Sequence, residues 1–124
     1  MIRVQNAGYS ALNLSGYDFG STLSSVTLGK ASNTADITLS SNINAAGPVS
    51  VYGGAVNLNA NLNTSAGGVA GDVLIKVTGD LALSASKSIT TNGGGVTFWS
   101  DSDGNGTGYV QLQTGASITS GGGH

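Results

Sequence analysis

The chain is 124 residues long, carries a net charge of −2 with only four Lys and Arg, and contains no cysteine. That leaves no basic patch for nucleic acid, no disulfide scaffold and no thiolate metal site. No stretch approaches the roughly 18 consecutive apolar residues of a membrane-spanning helix, so no membrane insertion is expected, and residues 1–6 lack the apolar run of a secretory signal.

Gly, Ser, Thr and Asn supply 61 residues, and six Asp stand with no Glu, an alphabet that favours turns over helix interiors. The 27 Val, Ile and Leu residues fall in alternation rather than at three- and four-residue spacing, which points to strands and is too regular for a disordered linker.

In chain order, residues 1–36 are the least regular, with strand-like Leu12-Asn13-Leu14 and Val26-Thr27-Leu28 flanking Tyr17, Asp18 and Phe19. They are expected to form a divergent first coil or partial cap. From residue 37 to 124 one phrase repeats: an apolar-x-apolar strand, a lone Ile or Leu, glycines, then a second apolar-x-apolar strand. It reads Ile37-Thr38-Leu39, Ile43, Gly47, Val49-Ser50-Val51, and again Val56-Asn57-Leu58, Leu62, Gly67-Gly68, Val73-Leu74-Ile75. The third copy is Leu81-Ala82-Leu83, Ile89, Gly93-Gly94-Gly95, Val96-Thr97-Phe98, and the fourth is Val110-Gln111-Leu112, Ile118, Gly121-Gly122-Gly123. One such unit cannot bury its apolar face alone, so copies must stack.

The stacking predicts an all-β fold, a single-stranded parallel β-helix or β-solenoid of four to five coils in one continuous domain. Ile37, Val56, Leu81 and Val110 form one inward column, Leu39, Leu58, Leu83 and Leu112 a second, Val49, Val73 and Val96 a third, and Ile43, Leu62, Ile89 and Ile118 a fourth. Glycines beside the last column suit corners with positive φ. An antiparallel sandwich is the competing architecture, but two-residue hairpin turns near strand ends are scarce, with only Asn92-Gly93 and Asp103-Gly104. Successive coils start 19, 25 and 29 residues apart, so residues 64–72 and 100–108 are expected as loops outside a constant core.

Candidate chemistry is sparse. Asp36 and Asp80 each precede a first strand and are expected in one corner two coils apart, about 10 Å at the strand spacing. That is loosely compatible with a pair of glycosidase carboxyls. Corner Asp residues ordinarily bond turn amides, and the only His is terminal His124, which reads as an expression remnant or cut point, so no enzyme is expected. Asp101, Asp103, Asn105 and the Thr107 carbonyl alternate as calcium ligands would. The twelfth position is Leu112 in place of a bidentate Glu, which excludes an EF-hand and favours a plain Asx- and Gly-rich loop with no cofactor.

Outward from the third column, Tyr52, Lys76 and Trp99 should stand in a row, a cation–π arrangement on which a sugar ring could stack. The plainer expectation is that Trp99 packs under the 100–108 loop. Other outward positions (Thr27, Thr38, Ser50, Asn57, Leu74, Ala82, Thr97 and Gln111) are too mixed for an ice-binding Thr array.

Residues 88–104 (SITTNGGGVTFWSDSDG) and 115–123 (GASITSGGG) resemble the repeats of filamentous-haemagglutinin-like bacterial surface proteins, a likeness extending over residues 37–123. The resemblance implies a right-handed parallel β-helix, export across the outer membrane, and adhesion at the cell surface or in the extracellular space to a host or neighbouring-cell glycan or protein. No secretion signal, secretion domain or transporter barrel accompanies it, so the chain reads as a slice of a longer one. The alternative is a non-catalytic carbohydrate-binding or β-helical module of a polysaccharide-processing enzyme. Open coil ends predict end-to-end self-association unless residues 1–36 act as a cap.

Overall fold

Alternation of Val, Ile or Leu with Thr, Ser or Asn turns one side of each strand inward and leaves the other to solvent. In the computed structural model, which describes residues 2–4, 11–13 and 23–124, the strands run in this order. They are β1 (Ile2–Val4), β2 (Ala11–Asn13), β3 (Val26–Leu28), β4 (Asp36–Leu39), β5 (Ile43–Asn44), β6 (Val49–Gly53) and β7 (Val56–Leu58). Then follow β8 (Leu62–Asn63), β9 (Val73–Val77), β10 (Leu81–Leu83), β11 (Ser88–Thr90), β12 (Val96–Trp99), β13 (Val110–Leu112) and β14 (Ser117–Thr119). A 3₁₀ turn spans Ala66–Gly68. Tyr17, Asp18, Phe19 and Leu14 lie outside the described residues.

From β3 onward every third strand shares a sheet. The first sheet has the order β1-β3-β6-β9-β12, the second β2-β4-β7-β10-β13, and the third β5-β8-β11-β14. All the pairings are parallel. The chain is therefore a parallel β-solenoid of about four coils. Ile37, Val56, Leu81 and Val110 are in direct register, and so are Ile43, Leu62, Ile89 and Ile118. In the first sheet Val26, Val49, Val73 and Val96 align. The regular ladder thus already includes β3, whose Val26 and Leu28 are fully buried.

Burying each Val, Leu or Ile in these columns is worth about 1.5–3 kcal/mol, and the columns form one continuous core from Val26 to Ile89. At the corner between the third and first sheets, Gly47, Gly67, Gly68, Gly93, Gly121 and Gly122 have the positive φ expected, and other glycines there answer to a second cause. A Cβ on Gly94 would lie 2.2 Å from the Gly71 carbonyl oxygen, one on Gly71 2.5 Å from that of Gly47, and one on Gly123 2.1 Å from that of Gly94. Close backbone approach of stacked corners demands glycine at these three positions, while positive φ accounts for their neighbours, such as Gly93 (φ 87) and Gly121 (φ 62). Two buried threonines brace the same corner: Thr64 Oγ1 donates to the Gly71 carbonyl at 2.5 Å and Thr91 Oγ1 to that of Gly94 at 2.5 Å. Of the expected loops, residues 65–70 and 100–108 sit outside this core, while Thr64 and Gly71 are buried at its corner.

Candidate functional site

The corner between the first and second sheets collects most of the exposed chemistry. Register puts Tyr52 beside Lys76 and Lys76 beside Trp99 on three successive coils. The Lys76 ammonium lies 4.2 Å from the centre of the Trp99 ring, inside cation–π range. Trp99 is 49% exposed, so the expectation that it packs under the 100–108 loop is corrected: the ring stays on the surface beneath Lys76. The cause is visible in the loop, whose Ser102 N–H is drawn to the Val77 carbonyl at 3.0 Å and which then runs around the corner.

Past this row the three chain segments turn into a groove of about 430 Å³. Its walls are Thr34 and Asp36 from the entry to β4, Gly54 and Ala55 after β6, Thr78, Gly79 and Asp80 after β9, and Asn105, Thr107 and Gly108 from the loop. Asp36 and Asp80 do share one corner two coils apart, as Ile37, Val56 and Leu81 register. Each spends an oxygen on a turn amide of the following coil: Asp36 Oδ1 accepts from Ala55 N–H at 2.8 Å and Asp80 Oδ1 from Tyr109 N–H at 3.3 Å. Asp72 caps Gly95 N–H at 2.7 Å in the same manner at another corner.

The loop oxygens are likewise engaged internally. Asp101 accepts from Gly106 N–H at 3.1 and 3.2 Å, Asp103 from the Asn105 side-chain amide at 2.9 Å, and Asn105 Oδ1 from Thr107 N–H at 2.8 Å. This is the chain of Asx turns expected of a return loop. Among the described residues no three or more His, Cys, Asp or Glu gather as a metal cluster. His124 lies elsewhere, its carbonyl accepting from Val96 N–H at 2.6 Å.

One supporting residue escapes a reading of the sequence. Asn33 is buried, donates from Nδ2 to the Tyr52 carbonyl at 2.8 Å and accepts from Ala35 N–H at 3.2 Å. It ties the segment entering the groove to the strand bearing Tyr52. In a chain with Asn at eleven positions, its type carries no signal, and only its place four residues after Gly29, outside every strand, sets it apart.

Chemically, the corner offers an indole face, an ammonium, carboxylate oxygens, hydroxyls and an amide along one wall of the solenoid. No family model, curated protein sequence or solved structure matches the chain.

Proposed function

We propose that this chain is a rigid β-solenoid segment of a secreted, filamentous-haemagglutinin-like bacterial adhesin, non-enzymatic, displaying at the Tyr52, Lys76 and Trp99 corner a binding spot for a glycan of a host or neighbouring-cell surface. The resemblance of residues 88–104 and 115–123 to the repeats of that family supports the adhesive class and an extracellular or cell-surface location. The observation that carries the binding spot is the half-exposed Trp99 ring, held by Lys76 at 4.2 Å beside a groove of polar side chains. A sugar places its C–H face on an aromatic ring while its hydroxyls bond carboxylates and amides. A protein ligand would use the same ring as an anchor.

The folded chain should be applied to a broad glycan array and to intact cells beside a Trp99→Ala variant. Loss of the ring is expected to weaken retention roughly fivefold or more, the equivalent of about 1 kcal/mol or above. Equal binding by both proteins would move the site away from this corner, and no binding by a folded chain would leave a shaft alone. The carboxylates of Asp36 and Asp80 in the groove favour the second reading, a carbohydrate-binding or β-helical module of a polysaccharide-processing enzyme. Preference for bulk polysaccharide over cell-surface glycans supports it, and release of shorter saccharides would overturn the non-enzymatic assignment.

A further inference from the structure

Of the eleven asparagines, two stand directly before a glycine, Asn92 and Asn105. In such a pair the glycine nitrogen can approach the side-chain amide of the asparagine, because glycine puts no Cβ in the way. The two pairs are held differently. At the corner after β11, Asn92 Nδ2 donates to the Gly68 carbonyl at 3.3 Å and Gly93 N–H to the Ser120 carbonyl at 2.7 Å. A peptide carbonyl accepts that hydrogen bond but is far too weak a base to take the proton.

Around Asn105 each atom of the same reaction meets a group suited to it. Gly106 N–H donates to both carboxylate oxygens of Asp101, at 3.1 and 3.2 Å. Asp101 itself stands at φ 50, a left-handed conformation that Asp and Asn tolerate better than other side chains. Asn105 Oδ1 accepts from the Thr107 N–H at 2.8 Å and from the Thr107 hydroxyl, two donors placed as they are around a carbonyl oxygen that gathers negative charge. The ring closed by the first of these bonds contains the Gly106 nitrogen, so Cγ of Asn105 is folded towards it. Asn105 Nδ2 donates to Asp103 at 2.9 Å. Residues 103–108 are all exposed, so water has access to the site.

We propose that Asn105 is a self-converting modification site, at which the 100–108 loop turns this asparagine into aspartate and isoaspartate with Asp101 as the catalytic base. The Gly106 nitrogen gives its proton to the Asp101 carboxylate in the plane of the peptide and bonds to Cγ of Asn105 across the face of that plane. Charge collecting on Oδ1 is held by the two Thr107 donors. The bond from Cγ to Nδ2 then breaks, Nδ2 takes up the proton that Asp101 received and leaves as ammonia, and a succinimide remains. Water opens the succinimide at either carbonyl, giving a carboxylate and a peptide link through the α or the β carbon. The extra backbone carbon of isoaspartate has room, since a Cβ built on Gly106 would meet nothing within 4 Å. The groove that Asn105 lines with Asp36 and Asp80 gains one negative charge.

The full chain should be held folded at neutral pH and its conversion followed by site-resolved peptide mass spectrometry. Asn105 is expected to convert at least about tenfold faster than Asn92, and faster by a similar factor than Asn105 itself in the chain unfolded by guanidinium chloride. Asp101→Asn keeps a residue that tolerates the left-handed conformation and should bring the folded rate at Asn105 down to the unfolded one without altering Asn92. Thr107→Val removes one donor to Oδ1 and should slow Asn105 about threefold or more. Both variants change an exposed loop outside the core and should melt as the parent does. Equal rates at Asn105 in the folded and unfolded chain, faster conversion at Asn92, or an Asp101→Asn variant that converts as the parent does would overturn the assignment.

Discussion

Leu83 lies between Leu58 and Leu112 in one column and is fully buried, whereas Thr38 is in the outward column beside Asn57. A carboxylate at the first position has no partner within the core, and one at the second faces water. Leu83→Asp is therefore expected to unfold the chain, exceeding the roughly 2–5 kcal/mol of a plain truncation to Ala. Thr38→Asp should stay within about 0.5 kcal/mol of the parent. Urea midpoints decide this, and similar values for the two variants would sink the column assignment. The columns were legible because a period of two assigns every second side chain to one face without further information. Inward polar groups were not: Asn33, Thr64 and Thr91 look like the many solvent-facing Asn and Thr, and only the backbone carbonyls they meet distinguish them. The corner glycines were legible as corners, but their cause at Gly71, Gly94 and Gly123 is contact between coils, a relation between residues more than twenty positions apart.

Among the elements, strand position is fixed by the stack and loop length is not. Closing a loop costs only about 0.6 kcal/mol per doubling of its length, so coils spaced 19, 25 and 29 residues apart share one core. Replacing residues 100–108 by the short corner of an earlier coil, such as Gly53-Gly54-Ala55, should leave the unfolding midpoint within about 1 kcal/mol of the parent. It removes one wall of the groove, so glycan retention should fall; retention unchanged on the same array would detach the groove from binding. Both loops were readable as excess spacing. The strand at Ile2–Val4 was not, since three residues followed by no lone Ile or Leu and no glycine run show nothing of the phrase, and its partner β3 reveals it only through pairing. Trp99 misled for a related reason: burial of Trp is a tendency of the residue type, whereas its exposure here follows from a loop that turns away from it.

As a whole molecule, each coil touches only its neighbours, so stability is a sum along a line and not around a centre. Central coils are braced on both sides, and the last is braced on one. Hydrogen exchange on this 124-residue chain should therefore find the slowest amides in β7 and β10 and the fastest in β13 and β14. Uniform protection would mean that all coils open together. The stacked architecture was visible in the repeat itself, because a repeat shows what one coil asks of the next. The unequal coils also set how the shaft yields to tension. Pulled by its carboxyl-terminal end, it peels one turn at a time, and turns of 29, 25 and 19 residues pay out about 100, 85 and 65 Å of extended chain. Once the strands after residue 109 have parted, a segment in the proposed adhesive role would give these slackenings in graded order, the longest of the three before the shorter two.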